Sequence, residues 1–206
     1  MTTNPYLDAV RPALVPDDNG SGELVVDWLT QHTGESRGTD RHKLCHRYSW
    51  AIPTEPALIE LAAHAPLVEI GAGTGYWAML LRERGVDIIA YDLHPPVTGA
   101  EDNHWHQNVP TWTEVLPGSS ADAALHPDRS LFLCWPPMSD MAHNALRVYY
   151  GNCLIYVGEP EDGCTANDLF DADLKRDWIL TKAVKMLQWW GIHDQMMIYT
   201  RATHNE

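Results

Sequence analysis

The chain has 206 residues, with 14 Lys and Arg against 28 Asp and Glu, for a formal charge of −14; 45% of it is hydrophobic and 20% charged. A chain of that length suits one domain that buries roughly 70% of its unfolded surface, and the composition excludes disorder throughout. The acidic balance disfavours a phosphate backbone, because nucleic-acid binders use a basic face to release counterions, so small molecules or peptides are the expected partners.

No apolar run approaches the roughly 20 residues of a membrane span, and the start lacks a basic stretch followed by an apolar one. Membrane insertion and secretion are therefore not expected. Cys45, Cys134, Cys153 and Cys164 show no close paired spacing, which fits reduced thiols and a cytoplasmic location.

In chain order, residues 1–50 read as an N-terminal arm or lid and residues 51–206 as the main domain. The arm is rich in Pro, Asp, Gly and Ser, and its apolar island at 24–29 predicts a short helix. Across residues 36–48 the local charge reverses, with Arg37, Arg41, His42, Lys43, His46 and Arg47 close together. Such a run is either a solvated loop or a lid that meets an acidic substrate.

Thr54 is placed to cap a helix whose apolar stripe is Leu58, Ile59, Leu61 and Ala62, and Pro66 ends it. Leu67-Val68-Glu69-Ile70 then runs directly into Gly71-Ala72-Gly73-Thr74-Gly75, followed by helical spacing of Trp77, Leu80 and Leu81. Gly85 closes that helix, and residues 86–91 form a second strand ending at Asp92. Strand, glycine loop, helix and strand make a βαβ unit and predict a parallel sheet.

Residues 93–110 form a long polar connection containing Asn103, His104, Trp105, His106 and Gln107, and read as a functional loop. A weak strand at 112–116, a short helix at 119–125, a buried strand at 130–135, a helix at 140–149 and a strand at 153–157 continue the alternation. The fold expected is α/β, a doubly wound and mostly parallel sheet. A helix at 167–176 follows. Residues 178–190 suit either period, but a helix there would expose Trp178, Ile179, Leu187, Trp189 and Trp190, so two antiparallel strands turning near Gly191 are preferred.

The glycines at 71, 73 and 75 permit a tight turn and close approach of a ligand to bare backbone, with the following helix aiming free amides at it. A dinucleotide fingerprint counted from Gly71 wants glycine at 76, where Tyr76 stands. Asp92 lies 19 residues after Gly73, at a strand end where a carboxylate can accept bonds from ribose hydroxyls. Glu69 opposes a phosphate but suits a ligand with a positive amino-acid tail.

Through these residues the chain resembles the class I S-adenosylmethionine-dependent methyltransferases over about residues 54–200, roughly three quarters of a chain of ordinary domain size. The resemblance implies S-adenosylmethionine as cofactor, with Gly71, Ala72, Gly73 and Gly75 at its methionine part, Asp92 on the ribose and Leu93 against adenine. It also implies a reversed terminal hairpin.

Cys134-Trp135-Pro136-Pro137 looks like a degenerate form of the Asp/Asn-Pro-Pro-aromatic signature of methyltransferases that modify amino groups of bases or glutamine. Trp135 replaces the group that would hold the amine, and Met138 the stacking aromatic, which lowers the nucleic-acid reading to an alternative. Trp135 is either an aromatic wall beside the sulfonium, where a cation over the ring gains about 0.5–2 kcal/mol, or plain core packing.

Asp140, His143 and Glu159 are candidate bases near the same sheet edge, and equally candidates for helix caps or surface charges. Tyr48, Trp50, Tyr76, Trp77 and Pro136 are candidates for the substrate pocket. His42-x-x-Cys45-His46 and His104-x-His106 lack the second ligand pair of a zinc site, so no metal is expected. His193 and His204 read as surface residues, and no Gly-x-Ser-x-Gly supports a serine hydrolase. The function expected is methyl transfer to a small molecule or peptide. The alternatives are a nucleic-acid methyltransferase and a cofactor-binding module without catalysis.

Overall fold

The computed structural model describes residues 3–28, 40–97, 101–160 and 163–203. Leu29, Arg37 and His204, singled out above, lie outside the described residues. The chain begins with helix α1 (Pro5–Val10), strands β1 (Leu14–Pro16) and β2 (Leu24–Val26), and helices α2 (Arg41–Arg47) and α3 (Glu55–Ala63). Then come β3 (Leu67–Ile70), α4 (Tyr76–Arg82), β4 (Ile88–Asp92), β5 (Leu116–Pro117), a 3₁₀ turn (Ser120–Leu125) and β6 (Ser130–Cys134). The chain closes with α5 (Met141–Val148), β7 (Cys153–Gly158), α6 (Asp168–Asp177), β8 (Trp178–Lys185) and β9 (Gln195–Arg201).

Seven strands form one sheet in the order β5-β4-β3-β6-β7-β9-β8. The first five are parallel, and β9 runs antiparallel to both β7 and β8. This is the doubly wound, Rossmann-like α/β sheet with a C-terminal antiparallel pair that the sequence predicts. The pair turns through residues 186–194, which include Gly191 at φ 74°.

Two apolar clusters cover the two faces. One gathers α1, α3 and α4 against Leu67, Phe132, Ile155 and Ile198; the other gathers the 3₁₀ turn, α5 and α6 against Val68, Ile70, Leu131 and Leu154. Because a strand alternates its faces, β3 serves both clusters, and its four residues are all buried. Each of its apolar side chains contributes about 1.5–3 kcal/mol on burial. Glu69 shares that burial without being apolar, and this marks the site.

Four local expectations change. Within the apolar island, residues 24–26 form a strand rather than a helix: Leu24, Val25 and Val26 pair with Pro16, Val15 and Leu14, so backbone bonding overrides the apolar periodicity. The basic run contains a helix, α2, because Asp40 caps it by accepting from the Lys43 amide at 3.1 Å. The strand expected at 112–116 shortens to Leu116–Pro117, since the Trp112 amide is taken by the Thr74 carbonyl instead of by a ladder. The turn at Ser120–Leu125 is 3₁₀, held by a capping box between Ser119 and Asp122.

The N-terminal segment packs onto the sheet domain. Tyr6 and Val10 are fully buried, Asn4 donates to the Pro53 carbonyl at 2.8 Å, and the Tyr76 hydroxyl donates to Asn4 and accepts from the Tyr6 amide. Among the described residues, no helix is long and apolar enough to cross a membrane.

Candidate functional site

A cavity of about 730 Å³ opens where β3, β4 and β6 end. Ligand sites of doubly wound sheets form at this carboxyl edge, and the volume lies within the usual range for small-molecule sites. Glu69, Gly71, Ala72, Gly73, Asp92 and Leu93 line one end. Tyr48, Trp50, Trp77, Trp135 and Pro136 also line the cavity.

The other expected site residues are placed elsewhere. Gly75 and Tyr76 are absent from the lining, Gly75 as the left-handed cap of α4 and Tyr76 as the anchor of α1. Asp140 Oδ1 accepts from Asn167, and His143 Nδ1 meets Asp173 Oδ2 at 2.6 Å on the face toward α6. The two oxygens of Glu159 accept from the Cys164 and His193 amides. Burial opposes ionisation of Glu159, but those bonds outweigh it and hold the carboxyl below its ordinary range.

The glycine loop keeps the left-handed backbone that its composition anticipates, with φ of 79°, 54° and 71° at Gly71, Gly73 and Gly75. Its amides differ from expectation. Those of Gly71 and Ala72 go to the Tyr91 carbonyl, that of Gly75 to the Ala72 carbonyl, and that of Gly73 to Asp92 Oδ2 at 2.8 Å. All four amides are thus bonded within the protein, and Gly71, Ala72 and Gly73 line the cavity as backbone rather than as free donors. A Cβ on Gly73 would lie 2.7 Å from His106 Nε2, and one on Gly71 would lie 2.2 Å from Met141 Cε.

Two carboxylates set the electrostatics at this end. Glu69 is 1% exposed, and its Oε2 has no hydrogen-bond partner. Burial pushes its pKa up to about 8, against the pull of Arg82 and with a push from Asp92. An unpaired buried acid lining a cavity is a site prepared for a cationic or hydrogen-bond-donating group. Asp92 accepts from Gly73, from the His94 amide and from Asn103 Nδ2, and a carboxylate has about four acceptor positions, so it retains capacity for a ligand.

Sequence reasoning flagged the polar connection but not its working parts. Asn103 holds that connection to Asp92 and to the His94 carbonyl, while its Oδ1 receives the Trp105 and His106 amides. His106 Nδ1 donates to the His46 carbonyl at 2.8 Å, which leaves the lone pair of the neutral ring on Nε2, above Gly73. Burial lowers its pKa, so the ring is neutral at neutral pH. Trp112 Nε1 takes the Arg47 carbonyl and Thr74 Oγ1 the Tyr48 carbonyl, so the end of α2 is tied to the cavity by three side chains.

At the aromatic end Trp135 holds a left-handed φ of 52°, a strained conformation for a bulky residue and one that tends to mark functional sites. Its ring stacks on Trp50 at 5.4 Å, and Trp50 meets Trp105 edge-on at 5.6 Å. Trp135 Nε1 donates to Asp194 Oδ1 at 2.6 Å. Asp194 is fully buried, its Oδ2 is unpartnered, and burial raises its pKa to about 7 despite the Trp135 bond. No local signal in the sequence marks Asp194, because its partner lies 59 residues away.

No protein-family model matches the sequence, and no curated protein matches it. Solved structures match in fold. Magnesium protoporphyrin IX methyltransferase from Synechocystis PCC 6803 with bound SAM is 12% identical, covering 72% of this chain and 77% of that one, with a TM-score of 0.49. A TehB-like SAM-dependent methyltransferase from Corynebacterium glutamicum is 16% identical over 70% of this chain and 85% of that one, with a TM-score of 0.40. The tRNA (uracil-54, C5)-methyltransferase of Pyrococcus abyssi, in complex with S-adenosyl-L-homocysteine, is 12% identical over 71% of this chain and 37% of that one, with a TM-score of 0.45.

Proposed function

We propose that this chain is an S-adenosylmethionine-dependent methyltransferase acting on a small molecule or a peptide. The observation that carries the reading is the unpartnered, buried carboxylate of Glu69 beside the glycine loop, which suits the ammonium of a methionine tail. Gly71 and Gly73 line the cavity beside that carboxylate, Asp92 has acceptor capacity for ribose hydroxyls, and Leu93 gives adenine an apolar surface. Bound there, the cofactor would supply an electrophilic methyl group on a sulfonium sulfur that departs as a neutral thioether.

The chain's own contribution to such a reaction is largely alignment and exclusion of water, and alignment alone can remove several kcal/mol of barrier. Trp50, Trp135 and Pro136 form the wall that would position an acceptor. A base is needed only for an acceptor that arrives protonated. Asp140, His143 and Glu159 each already serve another group, so the reading gives none of them a proton to move. A nucleic-acid substrate finds little support in residues 40–48, where Lys43 pairs with Asp40 at 3.0 Å and Arg41 turns inward among tryptophans.

Calorimetric titration with S-adenosylmethionine and S-adenosylhomocysteine tests the reading. Wild-type protein should bind both, and Asp92→Ala should weaken binding about 100-fold, equivalent to about 2.7 kcal/mol, as expected for losing charge-assisted hydrogen bonds. No heat with either ligand, or an unchanged affinity in Asp92→Ala, would overturn it. Release of S-adenosylhomocysteine across a panel of acceptors separates an enzyme from a module that only binds.

A further inference from the structure

Arg41 is the first residue of α2, where a basic side chain ordinarily reaches water, yet its guanidinium turns into the protein. Its Cζ lies 5.8 Å from the ring centroid of Trp28, 5.3 Å from that of Trp50 and 5.4 Å from that of Trp135. Its Nε and Nη2 are buried without a hydrogen-bond partner, and among the described residues it forms no ion pair. Asp194, bonded to Trp135 Nε1 through one oxygen, keeps its other oxygen buried and unpartnered. Trp28 is fixed by its own bond to the Trp190 carbonyl at 2.8 Å.

A cation that gives up water without gaining hydrogen bonds is penalised by more than aromatic faces return, and Asp194 acts on Arg41 only through space. Arg41 is therefore weakly compensated where it sits. The surroundings are those of a cation-binding cage: three indole faces and a buried carboxylate with an acceptor to spare. Trp50 and Trp135 are shared with the cavity, so the cage adjoins the space where an acceptor would lie. The charge of −14 raises the local concentration of cations and repels anions.

We propose that Trp28, Trp50, Trp135 and Asp194 form a recognition cage for an organic cation, an alkylammonium or guanidinium group on the acceptor, and that Arg41 occupies it when the acceptor is absent. Calling the ligand an acceptor rests on the methyltransferase reading; the cage itself does not. The free Nε–Nη2 edge of Arg41 also has the shape of a carboxylate clamp. The neighbouring Asp194 carboxyl and the indole faces favour a cation over that reading.

Choline is the probe, and 3,3-dimethyl-1-butanol its uncharged isostere, both titrated by calorimetry into full-length protein. Arg41→Ala should bind choline at least tenfold more tightly than wild type and show no comparable gain for the alcohol. Arg41→Lys, which keeps a cation in the cage, should gain nothing. Arg41→Gln gives the same comparison should the alanine variant fail to fold, as judged by near-ultraviolet circular dichroism.

The proposal is overturned if a folded, uncharged variant at position 41 gains no affinity for choline, or gains as much for the alcohol, which would indicate an apolar void. It is also overturned if wild type binds acetate and Arg41→Ala loses it, which would make Arg41 the clamp. S-adenosylmethionine titrated into the same variants separates the two readings. Cofactor binding without cation binding rejects the cage alone, and cation binding without cofactor binding rejects the methyltransferase reading alone.

Discussion

At the glycine end the cavity presents backbone and carboxylate; at the aromatic end it presents indole. Residues 69–75 with Asp92 build the first end, two adjacent parallel strands and the turn between them. The second end draws Trp50, Trp105 and Trp135 from three separate stretches, with Asp194 bonded to Trp135 and Trp28 beside Arg41 behind them. One end depends on chain geometry fixed within a βαβ unit, the other on the whole fold closing correctly. Changes at the aromatic end should therefore reach stability and acceptor binding before they reach the cofactor.

Trp135→Phe tests that separation most strongly. It keeps a ring and removes the indole donor, leaving Asp194 buried with neither oxygen bonded, so stability to urea should fall by about 2 kcal/mol. Affinity for S-adenosylhomocysteine should stay within about threefold, well under 1 kcal/mol. A loss of cofactor affinity as large as the loss of stability would show that the two ends act as one unit.

A pH-dependent effect comes from Glu69. Its folded pKa is raised to about 8 from an ordinary 4.5, so between those values the folded protein holds a proton that the unfolded chain releases. Stability of the free protein should fall as pH rises across that window, by at most about 1.4 kcal/mol per pH unit from this group. Glu69→Gln should flatten the profile in urea melts from pH 5 to 8 and leave the variant more stable than wild type at pH 8. Asp194, raised from 3.8 to about 7, contributes a slope of the same sign that persists in the variant. An unchanged profile in Glu69→Gln would mean that Glu69 is ionised in the folded protein.

His143→Ala, away from both ends, should have the smallest consequence. It removes the contact with Asp173, with an expected loss of about 1 kcal/mol in stability and no change in cofactor affinity or turnover. A fall in turnover alone would restore His143 as a base.

The contrast between the ends also explains what the sequence made legible. Glu69, the glycines and Asp92 announce themselves because their spacing follows the register of adjacent parallel strands, which pair Glu69 with Ala90 and Ile70 with Tyr91. The alternation of strands and helices was readable for the same reason. Helix α2 carried a readable signal in Asp40, a capping residue ahead of a run without proline or glycine. β2 did not, since three apolar residues suit either period until a partner strand is present. His106 above Gly73, Trp135 on Asp194 and Arg41 over Trp135 arise from pairings 33, 59 and 94 residues apart in sequence, and no local pattern encodes them.

Helix α2 is seven residues long, two turns, too short to persist in water by its own propensity. Its last carbonyls are held by His106, Trp112 and Thr74, one group from the polar connection, one from the stretch before β5 and one from the glycine loop. Unfastening any of them frays the helix from its C-terminal end, and Arg41 at the other end loses the scaffold that aims it inward. Folding of this short segment is thus coupled to order around the glycine loop, and amide exchange along residues 44–48 would report on that neighbourhood rather than on the stability of the sheet.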